Sequence, residues 1–395
     1  MGNLKQSNKA LSVFDAVVLL AIVTCTLLSS TPAQAQERTI FTSLHAFTNG
    51  VDGGNPYGTL VQDARGNLYG TSSGGGTYAS GTVFKIDVRG RQTVLYSFYN
   101  TVADGKDPLE GVVLDAAGNL YGSTSSGGTG PGLGTVFKLD PAGTETVLHN
   151  FGSTPDGTIP EGKLVRDAQG NLYGVTVGGG AYRGGTVFSV DPAGNETVLY
   201  SFRGGADGDG PYGGLVMDAH GSLYGTTSSG GTLGAGTVFK LDLTGSKTVL
   251  YNFGGPDGQY PRGSLIRDGA GNLYGTTFFG GAYDKGTVFK LDSAGTETVL
   301  HSFSGGADGG LPTAGVIGDA AGNLYGTTSD GGVHFYGTIF ALDPIGNLTV
   351  LYSFRDGPDG GRPFAGLLRT AGGALYGVTA IGGPYEYGTV FRVTP

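Results

Sequence analysis

The chain has 395 residues with a formal net charge of −9, a balance that argues against nucleic acid or an anionic membrane as partner. Glycine is extreme at 79 residues, yet there is no Gly-x-y period, which excludes a collagen-like rod. The glycines instead recur at fixed places, with Val, Leu, Phe and Tyr between them. That composition describes many short strands joined by tight turns.

Taken from the N-terminus, residues 1–35 differ in kind from the rest. Lys5 and Lys9 precede an apolar run from Val13 to Leu28, and Ala33 and Ala35 follow in a small-x-small arrangement. This reads as a secretory signal cut after Ala35. The run is short for a membrane span. Cys25 is the only cysteine and lies within the signal, so the mature protein is expected to carry no disulfide. The expected location is extracellular or periplasmic, with no membrane span after cleavage.

Residues 36–395 are occupied by a repeat of about 51 residues. Its clearest stretch is DAAGNLYGTT at 319–328. The tyrosine of that stretch returns at Tyr69, Tyr121, Tyr173, Tyr224, Tyr274, Tyr325 and Tyr376. Each unit reads as four strands. In the first unit these are PYGTLVQD at 56–63, LYGTS at 68–72, GTVFKID at 81–87 and TVLYSF at 93–98. The glycine of LYG is expected to leave room for a large ring from the adjacent unit.

The fourth strand has six copies, from Thr93 to Phe354. The seventh, TSLHAF at 42–47, stands at the other end of the chain, whereas the last repeat ends on its third strand, GTVFRV. In a line of repeats this permutation leaves two open edges. In a ring, 42–47 completes the last sheet. The fold class expected is therefore all-β: a seven-bladed β-propeller of four-stranded blades.

GNLYGTTSSGG…GTVFKLD…ETVLYSF resembles the GloVer tandem repeat of secreted bacterial proteins described as having a choice of anchor. The resemblance covers 39–395. It implies secretion and, in some members, a C-terminal anchoring segment, which does not follow FRVTP here. It implies no activity.

Candidate sites fall on the rim formed by the loops joining fourth to first strands and second to third strands. Asp-Gly-x-x-Pro occurs in every repeat, with Asp52, Asp104, Asp156, Asp207, Asp257, Asp308 and Asp359 each 17 residues before the repeat tyrosine. A ring of carboxylates at the channel mouth could hold Ca²⁺. The competing structural reading, favoured because the motif is in all copies, is a turn cap. Nine residues beyond the repeat tyrosine stand Tyr78, Tyr182, Tyr283, His334 and Tyr385 in five of the seven copies. Such rings can stack on sugars or anchor a protein, or else pack on their own loops. Tyr57 and Tyr212, with Glu161 and Arg262, follow the proline and face the channel mouth. His45, His149 and His301 take the tyrosine position of the outer strand and read as surface substitutes.

With no unique nucleophile, base or metal cluster, and no catalytic residue assigned, the function expected is a non-enzymatic binding or scaffold module for an extracellular glycan or protein. The alternative is a propeller lyase or hydrolase acting on extracellular polymers or lactones, with a cation at the channel mouth.

Overall fold

A computed structural model describes residues 39–395 apart from 100–103, 130, 131 and 153. The proposed signal and Cys25 lie outside the described residues. Seven four-stranded antiparallel sheets are formed, and consecutive repeats supply consecutive blades. In the first blade the order is Val61–Gln62, Leu68–Ser72, Thr82–Ile86 and Gln92–Ser97. The first strand of each blade lines the axis and is very short, two residues in six of the blades. Only Gly157–Arg166 of the third blade is long. No helix among the described residues is long and apolar enough to cross a membrane.

The permuted strand closes the ring. Ile40–Ala46 pairs with Thr389–Thr394 in the register Ile40↔Thr394, Thr42↔Arg392 and Ala46↔Thr389. It supplies the outer edge of the last blade, so that blade too has four strands.

Adjacent blades bury one hydrophobic cluster per seam, seven in all. At the heart of each seam the phenylalanine after one fourth strand meets the phenylalanine of the next blade's third strand, edge to face in six seams and tilted in the seventh, Phe354 on Phe391. Phe98 lies 5.2 Å from Phe137 and Phe202 5.2 Å from Phe239. The closing seam repeats this, with Phe47 5.2 Å from Phe84. All six of these rings are fully buried. Such a ring contributes roughly 1.5–3 kcal/mol by burial and an aromatic pair about 0.5–1.5 kcal/mol more.

The LYG glycine serves this seam differently from the sequence expectation. Gly225 is paired across the sheet with Phe239, and a β-carbon there would stand 2.7 Å from Phe239 Cζ and 2.9 Å from Leu215 Cδ2. The space is filled by the third-strand ring of the same blade, and that ring in turn receives the neighbour's phenylalanine. A pleated strand brings directly paired residues on one face within touching distance, which gives the same-blade ring the shorter reach. Gly225→Ala should therefore overpack its seam. The expected loss is about 1–3 kcal/mol, read as a lowered urea midpoint at unchanged m-value.

Candidate functional site

The rim expected from the strand order is present. The crossover between blades and the Gly-Gly loop hydrogen-bond to each other, as in the reciprocal bonds of Gly54 and Gly74, both 2.9 Å. The aspartates stand in these crossovers, and they turn outward. Asp104 accepts from Tyr96 Oη at 3.0 Å, Tyr99 N at 2.6 Å and Gly105 N at 2.7 Å. Asp257 accepts from Tyr251 Oη at 2.5 Å and Asp359 from Tyr352 Oη at 2.8 Å. Where histidine replaces that tyrosine, its Nε2 meets the carboxylate: His45 to Asp52 at 3.3 Å, His149 to Asp156 and His301 to Asp308 at 3.2 Å. None of the seven aspartates lines the axial cavity.

These histidines are not surface substitutes. About four-fifths of each side chain is buried in the seam, because the ring replaces a tyrosine that bonds the crossover carboxylate. The glycine after each aspartate lets the crossover approach the second strand. At Gly157 a β-carbon would lie 2.2 Å from Thr176 Oγ1. The proline seats on the glycine opening the preceding blade's third strand, as Pro108 does on Gly81. Asp, Gly and Pro thus fasten one blade to the next.

In five blades a third, polar residue approaches the aspartate from the fourth strand of its own blade, and sequence reasoning did not single it out. It is Gln92, Glu145, Glu196, Lys247 and Glu297 in the first five blades. Lys247 Nζ bonds Asp207 Oδ1 at 2.8 Å. His149, Asp156 and Glu196 bring one ligand atom each within 4.8 Å of one another, a donor set that could hold a metal ion. The visible signal was the residue before TVL, which varies among Gln, Glu, Lys and Leu in a segment otherwise nearly invariant.

Burial, then the adjacent aspartate, pushes the carboxyls of Glu145, Glu196 and Glu297 up to about 7 from an ordinary 4.5; His149 opposes this at Glu196. The folded state thus holds protons that the unfolded chain releases. The stability they contribute is fully present below the unfolded value and is lost as pH rises through about 7. His45, held below its ordinary 6.5 by burial, contributes with the opposite sign. The thermal midpoint of the Glu145→Gln/Glu196→Gln/Glu297→Gln variant should depend less on pH than that of the parent between about pH 5 and pH 8. Parallel curves for the two proteins would show that these carboxyls do not titrate in that window.

The rim aromatics are solvent-exposed. Tyr78 is 44 %, Tyr182 55 %, Tyr283 62 % and Tyr385 55 % exposed. His334 is exposed as well, and its neighbour Phe335 is an exposed ring that sequence reasoning passed over. Tyr78 packs on Tyr99, a second exposed ring, at 4.3 Å, and Arg203 lies over Tyr182 at 5.1 Å. The loop of Tyr182 bonds the end of the outer strand, Ala181 N to Ser201 Oγ at 3.2 Å, which sets this ring toward the rim's outer part.

Tyr57 and Tyr212 belong instead to the axis. Tyr57 stacks on Phe364 at 5.7 Å, and Arg262 lies 5.5 Å over Tyr212 and 4.6 Å over Phe278. Below them the first strands enclose a cavity of about 720 Å³. Glu110 and Lys163 line it, and both were missed in the sequence. Each stands in a single blade where other repeats carry glycine, alanine, serine or threonine. Burial, then Glu161, pushes the Glu110 carboxyl up to about 8, with Lys163 opposing. Burial lowers Lys163, opposed by Glu110.

A repeat model described as the Gloeobacter/Verrucomicrobia repeat matches residues 26–232 and 211–395. The chain belongs to that family. No functionally curated protein matches the chain. Among solved structures, virginiamycin B lyase from Staphylococcus aureus is similar at 13 % identity and a TM-score of 0.61, over 91 % of this chain and 99 % of that one. The extracellular domain of a hybrid two-component system protein from B. thetaiotaomicron is similar at 10 % identity and a TM-score of 0.57, over 89 % of this chain and 39 % of that one. A gluconolactonase from Xanthomonas campestris is similar at 17 % identity over 66 % of this chain and 78 % of that one, with a TM-score of 0.42. For the first two of these the likeness extends to the fold alone.

Proposed function

We propose that this Gloeobacter/Verrucomicrobia repeat protein is an exported, non-enzymatic binding module that holds an extracellular glycan or protein on its aromatic rim. One observation carries the reading. Four tyrosines at one repeat position, Tyr78, Tyr182, Tyr283 and Tyr385, are each about half exposed on one face of the ring. Large rings left in water around a rigid rim supply contact area at little cost in side-chain entropy. Exposed apolar surface of this kind marks interaction sites.

The fastening roles of the other repeated polar residues support the same reading. The crossover aspartates, the three outer-strand histidines and six of the seven repeat tyrosines are engaged with one another, with a turn aspartate or with backbone: Tyr69 Oη, for example, donates to Asp63 Oδ2 at 3.0 Å. The rim tyrosines have no comparable duty in every blade, and their repeat position is filled by other residues in the second, fourth and sixth copies. Such variation suits a site that uses some blades and not others. The export reading rests on Lys5, Lys9, the apolar run from Val13 to Leu28 and the Ala33-x-Ala35 pattern.

The test is a glycan array together with capture of proteins from the extracellular fraction, using the 36–395 protein and its Tyr78→Ala/Tyr182→Ala/Tyr283→Ala/Tyr385→Ala variant. Truncation at an anchoring aromatic costs about 1–2 kcal/mol or more, so binding should weaken by at least about tenfold. Equal binding by the variant would exclude the rim.

A further inference from the structure

The axial cavity is opposite in sign to the rest of the molecule. In a chain of net charge −9, its lining carries five cationic side chains, Lys163, Arg166, Arg262, Arg267 and Arg369, against the single carboxyl of Glu110. The charges lie at two levels of the first strands. Lys163 and Arg262 stand near the rim that bears the crossovers. Arg166, Arg267 and Arg369 stand at the same repeat position toward the opposite rim, in the third, fifth and seventh blades.

The three lower arginines are held alike. Each guanidinium lies 5.5 Å over the repeat tyrosine of the preceding blade: Arg166 over Tyr121, Arg267 over Tyr224 and Arg369 over Tyr325. Arg369 also approaches Asp319 at 3.8 Å. The Nε atoms of Arg166 and Arg369 are buried without a hydrogen-bond partner. Stacking fixes these side chains before any ligand arrives, so little of their rotamer freedom remains to be lost on binding.

The upper level adds flat apolar surface to charge. Tyr57 and Phe364 stack on one side, and Tyr212 carries Arg262 on another. The carboxyls of Glu161 and Glu110 interact electrostatically with Arg262 and Lys163, and both are groups able to hydrogen-bond hydroxyls. A cleft lined by one sign of charge within low-dielectric walls focuses its field on the space it encloses. A cavity of about 720 Å³ is within the usual range for small-molecule sites.

The geometry points to an anion-binding site in the axial cavity that takes a carboxylate-bearing sugar, a uronate. Its carboxylate pairs with Lys163 and Arg262, and its ring face rests on the aromatic side chains of the mouth. The lower arginines supply the surrounding positive field. The cations select the carboxylate, the aromatic surface selects a ring with an apolar face, and the carboxyls of Glu110 and Glu161 hydrogen-bond the ring hydroxyls. This inference is independent of the aromatic rim, whose tyrosines lie outside the cavity.

The decisive experiment is isothermal titration of the 36–395 protein with D-glucuronate, with D-glucose and inorganic phosphate as comparison probes. Glucuronate should bind at least about tenfold more tightly than either, since glucose lacks the carboxylate that makes charge-assisted pairs and phosphate lacks the ring that rests on the aromatic mouth. Its affinity should fall as salt is raised. Lys163→Met, which keeps the stem, and Arg262→Gln should each weaken glucuronate by about tenfold, while the rim tyrosine variant should bind it as the parent does. Circular dichroism and thermal midpoint establish that each variant is folded, and Arg262, exposed at the mouth, serves should the Lys163 variant not fold. Equal affinity for glucose or phosphate, no binding of glucuronate, or undiminished binding by both cavity variants would overturn the assignment. So would loss of glucuronate in the rim variant.

Discussion

Seven phenylalanine pairs hold this molecule in a ring. At every seam the phenylalanine that follows one blade's outer strand is pressed on the third-strand phenylalanine of the next, and the receiving ring occupies the space its paired glycine leaves open. The sole cysteine is Cys25 in the proposed signal, so no cross-link is available to the repeats. Repeat proteins draw stability from neighbour interfaces. A closed ring adds one interface more than a line of the same units, and it removes both terminal edges. Ile40–Ala46 provides that last interface.

The seams also carry the polar chemistry. The crossover from each outer strand to the next inner strand brings an aspartate onto the tyrosine or histidine of the blade just left. It also brings a glycine onto the next blade's second strand, and a proline onto the third strand left behind. Because these three residues fix the crossover, the Gly-Gly loop bonded to it is fixed as well. The exposed aromatics are thereby carried on a rigid rim. Inside the ring the short first strands are freed from making most of the interblade contact. Single blades can then place Glu110 or Lys163 at positions where others have small residues, and Arg262 at a position whose occupant changes from blade to blade.

Much of the architecture could be read from the chain because it is written seven times. The period, the orphan TSLHAF and the truncated last repeat together require a closed ring, and the strand pairing agrees. Direction was harder to read. Asp-Gly-x-x-Pro locates a crossover, but whether its carboxylate points to the axis or to the outer strand depends on the tyrosine or histidine that receives it. That partner lies six to eight residues upstream, across a loop of variable length. The same blindness assigned the LYG cavity to a neighbouring blade, since spacing alone does not say which face a paired ring covers. Glu110 and Lys163 were passed over for the opposite reason. Each occurs once, and a search for repetition discards what is unique, although a unique side chain on the axis is where a seven-fold scaffold acquires a distinct site.

The account stands on the closing seam being equivalent to the inner ones. The most direct measurement is equilibrium unfolding in urea of Phe47→Ala beside Phe202→Ala, two fully buried rings in corresponding positions, one contributed from the start of the chain and one from its middle. Each should cost about 3–5 kcal/mol, with the two losses equal within about 1 kcal/mol and a single transition retained. A Phe47→Ala variant as stable as the parent, beside a Phe202→Ala variant that is strongly destabilised, would show that the ring is not held shut by its first strand.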